Sequence, residues 1–227
     1  MNKLLKFKDK TSRQKGFTLF EILVVIAVLS IIGTIVLVIF SRVLKGNNKS
    51  QILSSIKQNG QAVLENMDHS IRDGGHLACL SSSKVIVVEK EGLYTRYKII
   101  LERKANDPIN ECMTTPADTT KPSNGCIVSD NPVFDVSVLK PADFLNKVCN
   151  VDDPVNGTIL TDTNPQSGVS VVSVPTAGSN SFTVNKSDGF ADVVSVSFTL
   201  GPGVSAGNSV SSQINNITFN TTIQLRN

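Results

Sequence analysis

Residues 17–40 read FTLFEILVVIAVLSIIGTIVLVIF, a run of 24 residues in which Glu21 is the one charged side chain. As a helix rising about 1.5 Å per residue, this run is long enough to cross a hydrocarbon core of about 30 Å. Six of the 22 Lys and Arg residues precede the run, within the first 16 positions. Because Lys and Arg are enriched on the cytoplasmic side, the sequence predicts a membrane-spanning helix over 17–41 with the N-terminus in the cytoplasm and the rest of the chain outside.

Two simpler explanations fit the apolar run less well. A secretory signal peptide has an apolar core of about 7–15 residues, followed by small residues at its cleavage site. Here the run is longer, and the residues 41–44 that follow it, Ser-Arg-Val-Leu, make a poor cleavage site. A plain membrane anchor leaves Glu21 unexplained, because a carboxylate inside an apolar segment costs about 2–3 kcal/mol or more and therefore indicates a partner.

The residues at the start of the run carry a specific resemblance. Residues 15–21, KGFTLFE, resemble the processing motif of type IV prepilins and type II secretion pseudopilins. In that family a prepilin peptidase cuts after the glycine, here Gly16, and N-methylates the new terminal residue, here Phe17. The resemblance therefore implies a cleaved basic leader over 1–16. Phe20 stands where the family commonly has Leu or Ile, a departure that keeps the apolar character.

Glu21 acquires a role in this interpretation. Cleavage creates an amine at Phe17, about one helical turn from Glu21. In a bundle of such helices, Glu21 of one subunit is expected to pair with the Phe17 amine of its neighbour. Two groups that are costly in lipid would then stabilise each other and set the axial register of the subunits. The open alternative is that Glu21 lies near the cytoplasmic interface, where its carboxylate reaches water.

The helical pattern continues beyond the membrane segment. Apolar residues recur at three- to seven-residue spacing with polar residues between them, which predicts an amphipathic continuation of the helix over 42–73. Gly74 and Gly75 predict its end near Arg72, and the segment 46–48, Gly-Asn-Asn, predicts a bend or a local break. The apolar positions are Ile52, Leu53, Ile56, Val63, Leu64, Met67 and Ile71.

The remainder, 74–227, is predicted to be an exported β-rich domain. A hairpin is expected from residues 84–89 and 93–102, and a long polar loop over 104–132. Further strands are predicted over 133–138, 169–174, 181–186, 191–200 and 213–226. The expected fold class is α+β and pilin-like: a long N-terminal helix, half in the membrane and half amphipathic, packed on a C-terminal antiparallel β-sheet.

Four cysteines lie in the predicted exported domain, and none of them forms a C-x-x-C pair. An even number of cysteines outside the cytoplasm favours disulfides. Three pairings are possible, and the sequence does not choose among them. We favour Cys112 with Cys126, which closes the polar loop, and Cys79 with Cys149, which ties the end of the helix to the later sheet. Free or partly paired thiols are the alternative.

The positive charge of the chain is concentrated in the leader. The formal charge is +3, but residues 1–16 hold six of the 22 basic residues and one of the 19 acidic residues. The other 16 basic and 18 acidic residues give −2, so no nucleic-acid partner is expected. The two histidines, His69 and His76, flank the predicted helix end, and no nucleotide-binding motif occurs. Neither an enzyme, nor a metal site, nor a cofactor is therefore expected.

The C-terminus adds a second resemblance. Residues 219–227, FNTTIQLRN, resemble the last strand of minor pilins and J-type minor pseudopilins. Together the resemblances imply a structural subunit of a type IV pilus or type II secretion pseudopilus, located first in the inner (cytoplasmic) membrane. The implied partners are prepilin peptidase, other pilin subunits, an inner-membrane assembly platform and, before assembly, membrane lipid. The alternative is an exported adhesin or DNA-uptake subunit that binds its ligand through residues 104–190.

Overall fold

The structure is a computed structural model. It describes residues 16–81, 83–108, 111–112, 120–135, 137, 140–172, 180–185, 191–207 and 214–226. Apart from Gly16, the predicted leader lies outside the described residues. The chain divides into two compact units, Met1–Gly46 and Asn47–Asn227.

The first helix, α1, runs from Leu19 to Asp73. It ends at Gly74, whose N–H donates to the carbonyl oxygens of Ser70 and Ile71. The local break predicted at 46–48 does not occur, since this segment is helical. One glycine lowers helix stability by about 1 kcal/mol. A helix tolerates this cost when it is hydrogen-bonded on both sides of the glycine.

Five strands form an antiparallel sheet in the order β1-β2-β3-β4-β5. The predicted hairpin is formed by β2 and β3, and its two turn residues, Glu91 and Gly92, both have positive φ (52° and 81°). That is the backbone conformation that type I′ hairpin turns require. The strands are β1 His76–Ser81, β2 Val85–Lys90, β3 Leu93–Ile100, β4 Cys126–Asp130 and β5 Thr158–Ile159.

A second antiparallel sheet is built around its longest strand, β8. One edge of β8 pairs along most of its length with β9, and the other edge pairs with β7 and then β6. The strands are β6 Val169–Val171, β7 Ser181–Asn185, β8 Val193–Pro202 and β9 Ile217–Gln224. The backbone joins this sheet to the first one, because Phe182 N–H donates to the Ser83 carbonyl and Val171 N–H to the Gly125 carbonyl.

The C-terminal part of α1 packs against both sheets and forms the main core. Its apolar stripe of Ile56, Val63, Met67 and Ile71 is at most 1% exposed. The stripe shares one cluster with side chains of both sheets, among them Tyr97, Phe182 and Phe198. Burying one such side chain contributes about 1.5–3 kcal/mol. The predicted fold class, a long helix packed on antiparallel β-structure, is confirmed.

A short helix, α2 (Pro141–Val148), contributes to a second core on the opposite face of the first sheet. The alternation along β2 shows the two faces: Ile86 and Val88 belong to the main core, whereas Val85 and Val87 pack with α2. A strand that is covered on both faces has apolar residues at successive positions, which explains the Val-Ile-Val-Val sequence of β2.

Two predictions for this domain are wrong, and other elements were not predicted. The residues after Gly75 form β1, which was not predicted because a six-residue strand with His76 and two small residues alternates weakly. The predicted polar loop 104–132 contains β4, and no strand occurs at the described residues of 133–138. Helix α2 follows instead, with Pro141 in its first turn and Lys147 in its last turn, which are recognisable helix signals.

A buried ion cluster fixes the segment that follows α2. Arg96 on β3 is 2% exposed, and its guanidinium donates five hydrogen bonds. Asp130 accepts two of them, at 2.9 and 2.7 Å, and Asp153 accepts one at 2.6 Å; the carbonyls of Val148 and Pro154 accept the others. Burial alone would lower the pKa of Arg96, but the two carboxylates raise it above its ordinary value.

Candidate processing and assembly site

Gly16 and Phe17 lie just before α1 in exposed, non-helical backbone. A Cβ built on Gly16 meets no atom within 4 Å, and the Phe17 side chain is 76% exposed. Exposed segments outside regular structure are the preferred sites of proteolytic cleavage. The described residues therefore leave the Gly16–Phe17 bond accessible without unwinding of the helix that follows it.

Thr18 begins the helix as its N-cap. The Thr18 hydroxyl accepts a hydrogen bond from Glu21 N–H at 3.2 Å. The Thr18 carbonyl accepts from the N–H groups of Glu21 and Ile22, at 3.1 and 3.3 Å. A Thr followed three residues later by Glu has the spacing of a capping box, and a carboxylate in the first turn also favours the positive end of the helix dipole. The sequence analysis assigned no capping role to Thr18 and Glu21, although their three-residue spacing is that of a capping box.

The apolar part of α1 exposes its side chains. Every large apolar residue between Phe17 and Leu44 is 44–83% exposed. A core helix of a soluble protein would bury such side chains, so this surface requires lipid or partner helices. Within the described residues, α1 is long and apolar enough to cross a membrane, and this suits a single-pass anchored protein.

The spacing along α1 places charged groups at both ends of the apolar segment. Glu21 and Arg42 are 21 residues apart, about 32 Å along a helix, which matches a hydrocarbon core of about 30 Å. Both charges can therefore lie near a membrane boundary while the segment between them is in lipid. This geometry would let the Glu21 carboxylate reach water at one of the two membrane boundaries.

The four cysteines of the other unit form two disulfides. Cys79 on β1 bonds to Cys149 at the C-cap of α2, with 6.2 Å between the Cα atoms. Cys112 bonds to Cys126 at the start of β4, with 5.6 Å between the Cα atoms. These are the pairs that the sequence analysis favoured among three. The first disulfide holds α2 against the first sheet, and the second closes the segment before β4.

The comparison with known protein families adds one match. Residues 11–40 match the model of the prokaryotic N-terminal methylation motif. No curated protein and no solved structure matches the chain. The matched segment contains Gly16, Phe17, the Thr18 cap, Glu21 and most of the apolar run. It therefore supports the class of type IV pilins and pseudopilins, made as a precursor that prepilin peptidase processes and that assembles with other pilins.

Proposed function

We propose that the chain is the precursor of a minor pilin or pseudopilin, cut between Gly16 and Phe17 and N-methylated at Phe17. The observation that carries the proposal is the methylation motif over residues 11–40. Two local features support it: the scissile bond lies in exposed, non-helical backbone, and the apolar part of α1 leaves its side chains uncovered.

The proposed sequence of events follows from the chemistry of the helix. The precursor inserts with its leader, residues 1–16, in the cytoplasm and its disulfide-bonded domain outside. Prepilin peptidase removes the leader, and the chain then passes through an inner-membrane assembly platform into a pilus or pseudopilus. Within the filament, helices of other pilin subunits replace lipid around the apolar side chains. The role is structural, with no catalytic step assigned to this chain.

The C-terminal strand supports a minor subunit. The resemblance of residues 219–227 to minor pilins and pseudopilins falls largely on β9, which belongs to the second sheet and is followed by the buried Leu225. A minor subunit of this kind would stand at the tip of a filament or prime its assembly.

Mass spectrometry of the N-terminus tests the processing step. In cells with prepilin peptidase, we expect a mature chain that starts at N-methylated Phe17. Gly16→Leu should remain uncut, whereas Gly46→Leu should be cut normally, and a Cβ at either position meets no atom within 4 Å. Loss of cutting in the first variant alone would thus report recognition by the peptidase. An uncut wild-type chain, or one starting at another residue, would contradict the proposal.

A further inference from the structure

The dipeptide Asn-Gly occurs three times in the sequence, at residues 59–60, 124–125 and 156–157. At such a dipeptide the glycine nitrogen can attack the amide carbon of the asparagine side chain, because glycine has no side chain that obstructs the approach. The attack needs a side-chain amide that is free to turn and a glycine N–H without an acceptor, in backbone outside regular structure. The structure distinguishes the dipeptides in each of these respects.

The first dipeptide is held inside α1. Asn59 donates from its amide nitrogen to the Ser55 carbonyl at 3.0 Å, and its amide oxygen accepts from Asp162 N–H at 2.8 Å. Gly60 lies in the interior of the helix, where each backbone N–H is bonded to the carbonyl four residues earlier. Reaction at this dipeptide would therefore require α1 to open locally.

The second dipeptide is buried just before β4. Asn124 is 2% exposed, and its side chain donates to the Asn164 carbonyl at 3.1 Å and accepts from Val204 N–H at 2.8 Å. Gly125 N–H donates to the Ser170 hydroxyl at 3.0 Å. Both reacting groups are therefore engaged, and turning the Asn124 side chain would leave buried polar groups without partners.

The third dipeptide has no such contacts within the described part of the chain. Asn156 and Gly157 are exposed and lie between α2 and β5, in backbone that is neither helix nor strand. No described residue forms a hydrogen bond with the Asn156 side chain or accepts one from Gly157 N–H. The groups that must react are therefore held by nothing but solvent.

Packing requires the glycine of this third dipeptide. A Cβ built at Gly157 would overlap the carbonyl oxygen of Ser129 and the side chain of Asp130. Another residue at this position would force the segment away from β4. The fold thus places a glycine directly after an asparagine whose side chain is unconstrained.

We propose that Asn156 is a site of spontaneous deamidation in the folded protein. The Gly157 nitrogen gives its proton to water and bonds to the Asn156 Cγ, while the side-chain nitrogen takes a proton from water and leaves as ammonia. Water then opens the cyclic imide at either carbonyl, which yields an aspartate or an isoaspartate. One water is consumed for each ammonia released, and nothing is oxidised or reduced. The reaction needs only the folded domain and water, so it is independent of the proposed function.

The isoaspartate product would loosen β5. Its backbone runs through the side-chain carbon and is longer by a methylene group between residues 156 and 157. Val155 N–H donates to the Glu111 carboxylate at 3.4 Å, and Thr158 is paired with Ser129 on β4, so the segment is fixed at both ends. Because β5 is two residues long, we expect the longer backbone to open its pairing with β4 more often.

Peptide mass spectrometry of the aged full chain tests the site. The detergent-purified chain is incubated at neutral pH in water labelled with heavy oxygen, which marks each deamidation that occurs during the incubation. We expect Asn156 to deamidate at least about tenfold faster than Asn59 and Asn124, whose hydrogen bonds must first break. An Asn156 that reacts no faster than these two asparagines would overturn the proposal.

The reduced chain in urea is the matched reference, because its Asn-Gly dipeptides keep their chemistry and lose their protection. All of them should react at similar rates there. A difference that persists in urea would originate in the neighbouring residues of the sequence and would overturn the structural argument.

Variants at position 156 test the effect on β5. Asn156→Gln should remove the modification, because glutamine would have to form a larger ring, and Asn156→Asp carries the new charge on a backbone of normal length. The Leu160 amide, which donates to the Ile127 carbonyl, should exchange with solvent at least about tenfold faster in the isoaspartate form than in either variant. Equal exchange in the isoaspartate form and the two variants would overturn the loosening of β5.

Discussion

At the residue scale, two physical roles are conceivable for the carboxylate of Glu21: capping of helix α1 and pairing with the Phe17 amine of a neighbouring subunit. It occupies the first turn of α1 behind the Thr18 cap, and it is the one charge in the apolar segment. A capping role needs a side chain that accepts hydrogen bonds, which Gln also does. A role in pairing with the Phe17 amine of a neighbour needs the negative charge. Substitutions can therefore distinguish the two roles.

We expect Glu21→Gln and Glu21→Ala to insert into the membrane normally and to be equally depleted from filaments. Losing one partner of a buried ion pair costs about 3–5 kcal/mol, whereas losing a helix cap costs about 1 kcal/mol. Thr18→Ala, the matched cap variant, should therefore incorporate almost normally. The measurement is the fraction of mature chain in sheared filaments relative to membranes. Normal incorporation of Glu21→Gln together with failure of Thr18→Ala would assign Glu21 to the cap instead.

The contribution of Arg96 to stability depends on the burial of its ion pairs with Asp130 and Asp153. We expect Arg96→Met to lower the free energy of unfolding by about 3–5 kcal/mol, because Asp130 and Asp153 would keep their charges in a mostly buried site without a partner. Arg72→Met is the matched control, since its pair with Asp68 lies on the helix surface and should matter little. Urea unfolding of the full chain in detergent measures both. Similar losses for the two variants would contradict the assigned role of the cluster.

At the element scale, Gly60 allows α1 to approach the second sheet. A Cβ built at this position lies 2.2 Å from the Phe219 ring. Phe219 stacks on the fully buried Phe198, with 5.5 Å between the ring centroids, so a shift of the ring away from this Cβ would disturb the stacked pair. Gly60 weakens the helix locally, but the close contact between α1 and β9 requires a residue without a side chain at this position.

Gly60→Ala should destabilise the protein by about 1–3 kcal/mol through this overlap. Gly46→Ala should instead leave the stability unchanged or raise it by up to about 1 kcal/mol, because alanine favours helix and the site is open. Thermal unfolding followed by circular dichroism compares the two variants. A stabilising Gly60→Ala would mean that the helix and β9 lie further apart than the structure shows.

The elements themselves were predictable to different degrees. The helix α1, the hairpin of β2 and β3, and strands β6 to β9 have local signals: apolar periodicity, a Glu-Gly turn and β-prone runs. Strand β1 and strand β4 lack such signals, and they form because β2 and β3 offer them partners. Helix α2 did have local signals, but they were not used. The sequence analysis instead predicted a strand from the apolar residues just before it, over 133–138.

At the scale of the whole molecule, the two disulfides join segments of very different separation. Cys79–Cys149 spans 70 residues and holds α2 against the first sheet, whereas Cys112–Cys126 spans 14 residues. A longer loop loses more entropy in the unfolded chain when it is closed.

Replacing both cysteines of the longer loop with serine should therefore lower the free energy of unfolding by about 4 kcal/mol, and the same change in the shorter loop by about 3 kcal/mol. Guanidinium unfolding of the two double variants, compared with the oxidised wild type, measures the difference. A larger loss for the Cys112–Cys126 variant would indicate that native contacts of the loop, rather than the entropy of the unfolded chain, dominate.

The sequence by itself determined the parts of this protein that depend on consecutive residues. The apolar helix, its cap and the methylation motif lie within residues 11–40, and their chemistry follows from local order along the chain. The tertiary structure alone decided which residues meet across long separations: the cover of the first sheet by α2, the burial of Arg96 with Asp130 and Asp153, and the contact of Gly60 with Phe219. These features depend on which strands become neighbours, and that choice is made by burial and backbone pairing over the whole domain.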